Sequence, residues 1–350
     1  MAEHTPVTVL TGFLGTGKTT LLNHLLRQPA LANTAVLVNE FGEIGIDHLL
    51  VRKLDDSTVL LNAGCLCCTV RGDLTRALRE MLPRARRGEI GRILIETTGL
   101  ADPVPILGTL MGDPVVASAY RLDGVVTVID AVNGPLNLDR HKEALRQAAV
   151  ADRLVISKAD LADPAPLRER LRVLNPAAPV AISTQGDVEP GFVLGAGLFD
   201  ASGKIADVRN WLDAEAFTAD PGHHHGHHQH DPNRHDARIG AFCLTLDQPL
   251  DWPALSMWLG TLLASHGDRI LRIKGILNVS DQDAPVALHA AGHLLHPPIR
   301  LPAWPAGDSR HSRIVFITSE LPRPVVEDSF MAFHAASRPV AGSTQDGGQV

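Results

Sequence analysis

A chain of 350 residues with 45% hydrophobic content, a mean hydropathy of +0.05 and a net charge of −7 has material for two packed domains of about 100–200 residues each. No apolar run nears the ~18–20 residues that span a bilayer, and the opening MAEHTPVTVLTGFLG lacks a basic n-region and a small-residue cleavage site, so no membrane partner and a cytoplasmic location are expected. A pI near 6.2 with no Lys/Arg-rich stripe argues against nucleic acid as a partner.

The first 205 or so residues alternate strand and helix patterns. VTVLTGF (7–13) is a β-rich run ending in glycine. KTTLLNHLLRQ (18–28) sets Leu21, Leu22, Leu25 and Leu26 on one helical face. TAVLVNEFG (34–42) reads as a buried strand running into a polar loop, and DLTRALREMLPRAR (73–86) as a helix. RILIETTG (92–99), GVVTVIDAV (124–132) and RLVISKAD (153–160) are apolar strands ending in polar residues. Apolar strands separated by helices predict an α/β domain with a mostly parallel sheet flanked by helices.

Residues 206–236 break this pattern. FTADPGHHHGHHQHDPNRHDAR has no apolar period and carries seven of the 17 histidines, so it reads as a linker. A smaller α+β domain is expected over 237–335. IGAFCLTLD (239–247) is a half-buried strand. WPALSMWLGTLLASHGDRIL (252–271) is a helix with Asp251 as N-cap and Pro253 in its first turn. RIKGILNVS, PVALHAAGHLL and SRIVFITSEL supply further strands. Cys243, His289, His293 and His296 are assigned to packing or surface in this domain, and 336–350 is expected to be a disordered tail.

The chemistry concentrates in the first domain. GFLGTGKT (12–19) is G-x-x-x-x-G-K-[ST] between a strand and a helix, the context that a phosphate-cradling P-loop requires. Gly12, Gly15 and Gly17 let the backbone curl around Thr16 so that N–H groups face phosphate oxygens. Lys18 reaches the β/γ-phosphates, Thr19 is placed to hold Mg²⁺, and Thr20 bonds a further phosphate oxygen. SKAD (157–160) ends an apolar strand where P-loop GTPases read the base. Asp160 would accept from guanine N1–H and the exocyclic amine, and the Lys158 stem would pack on the ring. Ser157 departs from the usual Asn or Thr. AIST (181–184) would pack behind the base. Glu96 in ILIETTG holds the place of a second Mg²⁺ residue, directly or through water, or orients the attacking water, and Gly99 permits close approach to the γ-phosphate. NEFGEIGID (39–47) sits where a switch loop would, with Glu40, Glu43 and Asp47 as candidate polar groups.

Three of the four cysteines, Cys65, Cys67 and Cys68, lie in GCLCC between that loop and Glu96. Such clustering is not a disulfide framework. Metal binding, redox chemistry and burial remain as readings. Two or three thiolates on a tight loop suit Zn²⁺, Co²⁺ or Cu(I), and an incomplete ligand shell suits a metal that must be released.

GFLGTGKTT, NEFGEIGID, GCLCC, ETTG, SKAD and RIKGIL (272–277), in this order, resemble the CobW-type GTPases, grouped with UreG and HypB. The resemblance spans about residues 5–335 and implies a P-loop NTPase domain followed by a CobW C-terminal-type domain that recognises a client. It implies a GTP-hydrolysing metallochaperone of low intrinsic turnover that uses GTP and Mg²⁺. Its transferred metal, Zn²⁺ before Co²⁺, would sit on Cys65, Cys67 and Cys68, with Lys18 and Glu96 as catalytic groups. HHHGHHQH (223–230) weakly favours zinc. The expected partner is a client metalloprotein, and a nucleotide- or metal-dependent homodimer is compatible. A regulatory GTPase with a redox-sensing thiol cluster, and a cobalt-insertion factor for cobalamin synthesis, stand as alternatives.

Overall fold

The computed structural model describes residues 4–39, 59–63, 70–196, 239–304 and 307–337. The apolar runs of the first domain become β1 (Thr5–Thr11), β2 (Thr34–Asn39), β3 (Val59–Ala63), β4 (Arg92–Glu96), β5 (Tyr120–Asp130), β6 (Arg153–Ser157) and β7 (Val180–Ile182). They form a seven-stranded sheet in the order β3-β2-β4-β1-β5-β6-β7. Every pairing in it is parallel. Burial on both faces accounts for the lack of polar alternation.

The helices are α1 (Lys18–Leu25), α2 (Val70–Arg86), α3 (Val104–Gly112), α4 (Pro114–Ala117), α5 (Gly134–Arg140), α6 (Lys142–Ala149), α7 (Ala165–Leu174) and α8 (Pro190–Val193). One face of the sheet packs α1 through Leu21, Leu22 and Leu25 against Leu10, Val36 and Leu94. The other packs α2 and α3 through Leu74, Leu78, Ile106 and Leu110 against Val7, Ile93 and Ile95. Parallel strands send all their carboxyl ends to one edge, so the loops after β1, β4, β5 and β6 converge there.

The second domain comprises β8 (Ile239–Leu246), α9 (Trp252–His266), β9 (Ile270–Leu277), β10 (Val286–Ala291), β11 (Leu294–Leu295), β12 (Ile299–Arg300), β13 (Ser312–Ser319) and α10 (Arg323–Ser337). Its sheet runs β11-β10-β9-β13-β8, with β12 paired to β10, and its pairings are antiparallel. Leu255, Trp258 and Leu259 of α9 and Phe330 of α10 cover one face together with Phe316. Trp258 meets Phe330 edge-on at 5.0 Å. Leu271, Ala291 and Ile317 instead join the core of the first domain beside Ile106, Leu107 and Leu110. Burial on two sides explains why all eight residues of β9 are buried.

Three elements differ from expectation. The helix expected over 252–271 stops at His266, capped by Gly267, and Ile270–Leu277 is captured as a strand between β10 and β13. Val59–Ala63, too short to stand out as a periodic run, becomes a strand by pairing with β2. The final helix α10 continues through Ser337, two residues into the expected tail.

Candidate active site

Steric freedom shapes the P-loop. Gly12 has φ +143° and a Cβ there would lie 2.2 Å from the Val128 carbonyl oxygen, so no other residue fits between β1 and β5. Gly17 has φ +87° and forms the left-handed N-cap of α1. Gly15, at φ +71°, completes the curl. The Thr16 hydroxyl donates to the Phe13 carbonyl at 2.9 Å, and its side chain is buried. That side chain braces the loop rather than facing outward.

Lys18 is buried and donates from Nζ to the carbonyls of Gly12 at 2.8 Å and Phe13 at 3.0 Å. Its ammonium therefore rests in the mouth of the loop. Thr19 Oγ1 donates to Glu96 Oε1 at 2.8 Å, joining the start of α1 to the end of β4 across 77 positions of sequence. The β1–β4 register sets this up by pairing Leu10 with Glu96. Thr97 Oγ1 and Thr11 Oγ1, 2.7 Å apart, add a second tie between the same strands. Thr20 is exposed beside Thr19. A hydroxyl and a carboxylate converging at a helix N-terminus are hard oxygen donors of the kind that suits Mg²⁺, so these residues fit the ion that a bound nucleotide would bring.

Gly99 lies against the P-loop. A Cβ there would come within 2.6 Å of the Leu14 backbone nitrogen, so its close approach is to the P-loop itself. The loop after β4 thus lies directly against the phosphate loop.

At the end of β6, Ser157 Oγ donates to the Thr16 carbonyl at 2.7 Å. The serine in place of Asn or Thr therefore still ties the SKAD loop to the P-loop. Lys158 adopts φ +55° and its Nζ lies 3.3 Å from Asp130 Oδ2. Asp160 is exposed at the adjacent turn. The Ser183 carbonyl accepts from Ala159 N at 3.4 Å, and a Cβ at Gly186 would lie 2.8 Å from the Thr20 carbonyl. The loop containing Ser183 and Thr184 therefore closes behind both SKAD and α1.

Sequence reasoning missed three residues. Asp130 holds Lys158, and the apolar strand ending in Asp was its only signal. Gln147 is buried on α6 and donates from Nε2 to the carbonyls of Gly99 at 3.1 Å and Ala101 at 2.9 Å. A polar side chain on an alanine-rich apolar face was the signal there. Asp152, just before β6, is buried against Arg272 Nη2 at 3.0 Å and against Lys274 Nζ. Burial would push its carboxyl up, but the Arg272 and Lys274 cations outweigh this and hold it down at about 2. His289 lies beside this cluster. Burial, reinforced by Arg272 and Lys274, pushes its imidazole well below the ordinary value.

Cys65, Cys67, Cys68, Glu40, Glu43, Asp47 and the histidine tract 223–230 lie outside the described residues. Among the described residues, no group of three or more His, Cys, Asp or Glu could hold a metal ion. No helix among them is long and apolar enough to cross a membrane.

Comparison with known proteins agrees with this arrangement. Residues 6–181 match the CobW/HypB/UreG nucleotide-binding domain, and residues 239–334 match the cobalamin synthesis protein cobW C-terminal domain. The chain is 34% identical over 329 residues to the zinc chaperone YjiA of Escherichia coli strain K12, covering 93% of this chain and 97% of that one. It is 30% identical over 344 residues to the zinc chaperone CobW of Sinorhizobium sp, covering 89% and 92%. The crystal structure of Zn(II)-bound YjiA GTPase from E. coli superposes with a TM-score of 0.67 at 28% identity, covering 95% of this chain and 99% of that one. The P-loop geometry, the parallel sheet that carries it and the docked antiparallel domain thus have one explanation: the chain belongs to the CobW/HypB/UreG family, in the form that carries a CobW C-terminal domain.

Proposed function

We propose that this protein is a GTP-hydrolysing metallochaperone that loads a divalent transition metal, zinc before cobalt, and delivers it to a client metalloprotein. The observation that carries the nucleotide half is the 2.8 Å contact of Thr19 with Glu96 beside Lys18 in the loop mouth. In this reading Lys18 exchanges the Gly12 and Phe13 carbonyls for β/γ-phosphate oxygens. Gly15, Thr16, Gly17 and Thr20 present main-chain or hydroxyl donors to the phosphates. Thr19 and Glu96 would hold Mg²⁺, Glu96 directly or through water, and the ion would neutralise charge developing on the phosphates. Lys158 and Asp160 read guanine. Turnover is slow without a partner.

The metal half rests on GCLCC and on relatives named zinc chaperone. Cys65, Cys67 and Cys68 take the metal as cargo, and nucleotide state gates its affinity. The domain division is 1–205 for the GTPase domain, 206–236 for the histidine-rich linker, 237–335 for the C-terminal-type domain and 336–350 for the tail. The site of action is the cytoplasm, where thiols stay reduced, with homodimerisation dependent on nucleotide or metal.

The decisive experiment is competitive Zn²⁺ and Co²⁺ binding with GDP and with a non-hydrolysable GTP analogue, on the wild type and on Cys65→Ser/Cys67→Ser. Cysteine-dependent affinity that rises with the GTP analogue supports the reading. Affinity equal in both nucleotide states removes the coupling, because equal affinity for two states shifts nothing.

A further inference from the structure

Gln147 has a role beyond packing. It lies on α6, which places no residue in the nucleotide site, yet its amide nitrogen is directed at two carbonyls of the loop after β4, Gly99 at 3.1 Å and Ala101 at 2.9 Å. Both partners are acceptors, so only the NH₂ end of the amide fits there. The neighbouring Arg146 pairs with Asp102 of the same loop at 2.8 Å. Gln147 also shares a cavity of about 10 Å³ with Phe13 and Thr16 of the P-loop. Gln147 thus holds the Gly99 and Ala101 carbonyls with its amide and borders the P-loop through that cavity, while Gly99 itself lies against Leu14 of the P-loop.

The helix that carries this clamp is itself held. The Gln147 carbonyl accepts from Thr127 Oγ1 on β5 at 2.7 Å. Asn175, at the end of α7, donates from Nδ2 to the carbonyls of Ala148, Ala149 and Ala151 at 2.9–3.0 Å. The end of α6 and the turn after it are thereby tied to α7. One residue further, Asp152 is gripped by Arg272 and Lys274 of the second domain and accepts from Val125 N at 2.8 Å. Two sheets and a helix thus fix the position of one amide.

We propose that Gln147 is a positioning residue for GTP hydrolysis. It sets the backbone of the Thr97–Asp102 loop against the P-loop, and the second domain holds α6 in register for it through Asp152. This rests on the reading of the P-loop and Glu96 as a GTP site. In consequence, whatever binds or shifts the second domain changes the hydrolysis rate more than it changes nucleotide affinity.

The test uses the full-length protein. Gln147→Met keeps side-chain length and removes both donations. Its kcat for GTP is expected to fall about tenfold, while KM and GDP affinity stay within about threefold of wild type. An unchanged kcat, or a parallel loss of GDP affinity, overturns the proposal. Lys274→Met, which leaves the Arg272–Asp152 pair in place, is expected to lower kcat in the same direction, and its effect is expected to be non-additive with Gln147→Met. Additive effects, or a wild-type kcat in Lys274→Met, remove the second domain from the mechanism. If Gln147→Met does not fold, Gln147→Asn, which keeps the amide but draws it back from both carbonyls, decides by the same separation of kcat from affinity. A wild-type protein that neither binds nor hydrolyses GTP defeats the nucleotide reading and this proposal with it. An active wild type with an unaltered Gln147→Met variant defeats the positioning role alone.

Discussion

Lys18 donates to two carbonyls of its own loop, at 2.8 and 3.0 Å, which holds its ammonium at the mouth of that loop. Lys18→Ala is expected to abolish GTP turnover and leave thermal unfolding within a few degrees of wild type; normal turnover would remove the P-loop assignment. Gly99 makes a sharper steric prediction. A methyl carbon at residue 99 would lie 2.6 Å from Leu14 N, so Gly99→Ala must displace the phosphate loop backbone, not a flexible side chain. We expect nucleotide affinity to drop by about tenfold or more, on the order of 1.4 kcal/mol of binding free energy. Titration with a fluorescent GDP analogue checks this, and wild-type affinity would mean the two loops can separate without consequence. Asp160 is exposed, so Asp160→Asn should fold normally and lose preference for GTP over ATP. Retained preference would assign base reading elsewhere.

At the scale of elements, α9 shows local signals of different strength at its two ends. Asp251 accepts from Ala254 N at 2.8 Å and Pro253 follows in the first turn, so the start of α9 was legible from residue types alone. Asp251→Ala is expected to cost about 1 kcal/mol of stability, measurable by urea unfolding. The end of α9 carried a signal that the periodicity overrode: Gly267 caps the helix directly after His266. The pairing of Ile270–Leu277 with β10 and β13, which follow later in the chain, then takes the next residues into a strand. In the same way β3 exists because β2 offers it an edge to pair with. Helix starts are decided by groups within one turn, whereas strands are decided by partners that periodicity does not reveal.

The whole molecule is joined by charge as well as by the shared apolar core. Asp152, Arg272, Lys274 and His289 lie together, all buried, where β9 and β10 of one domain meet the start of β6 in the other. Asp152 has a folded pKa near 2, below the unfolded value of about 3.8. Its stabilising contribution is present above that unfolded value and is lost as pH falls through about 2. His289 is held neutral in the fold and takes a proton when unfolded, so it removes stability as pH drops below its ordinary value of 6.5. Stability is therefore expected to decline from about pH 6.5 downward, and His289→Asn should flatten the upper part of that slope. A wild-type slope in the variant would assign the acid sensitivity to other groups. Asp152→Asn leaves the buried Arg272 cation without its counter-charge, while Lys274, which burial already lowers to about 8, gives up its proton; the change is expected to cost about 3–5 kcal/mol. Denaturant unfolding at pH 7 measures it.

What the sequence determined by itself was the local chemistry. GFLGTGKT needs only a strand before it and a helix after it, SKAD only a strand end, and the apolar runs only two buried faces. These are short-range requirements written in consecutive residues, and the family resemblance rests on the same strings. The tertiary structure alone decided which of these strings touch. It put Thr19 against Glu96, turned Ser157 onto Thr16, set Gly99 on Leu14, and gave Gln147 and Asp152 partners 46 and 120 positions away. Such contacts depend on strand register and on the docking of one sheet against another. A buried polar residue announces in sequence that it needs a partner, because leaving it unpaired is costly, but only the packed chain says which partner it has.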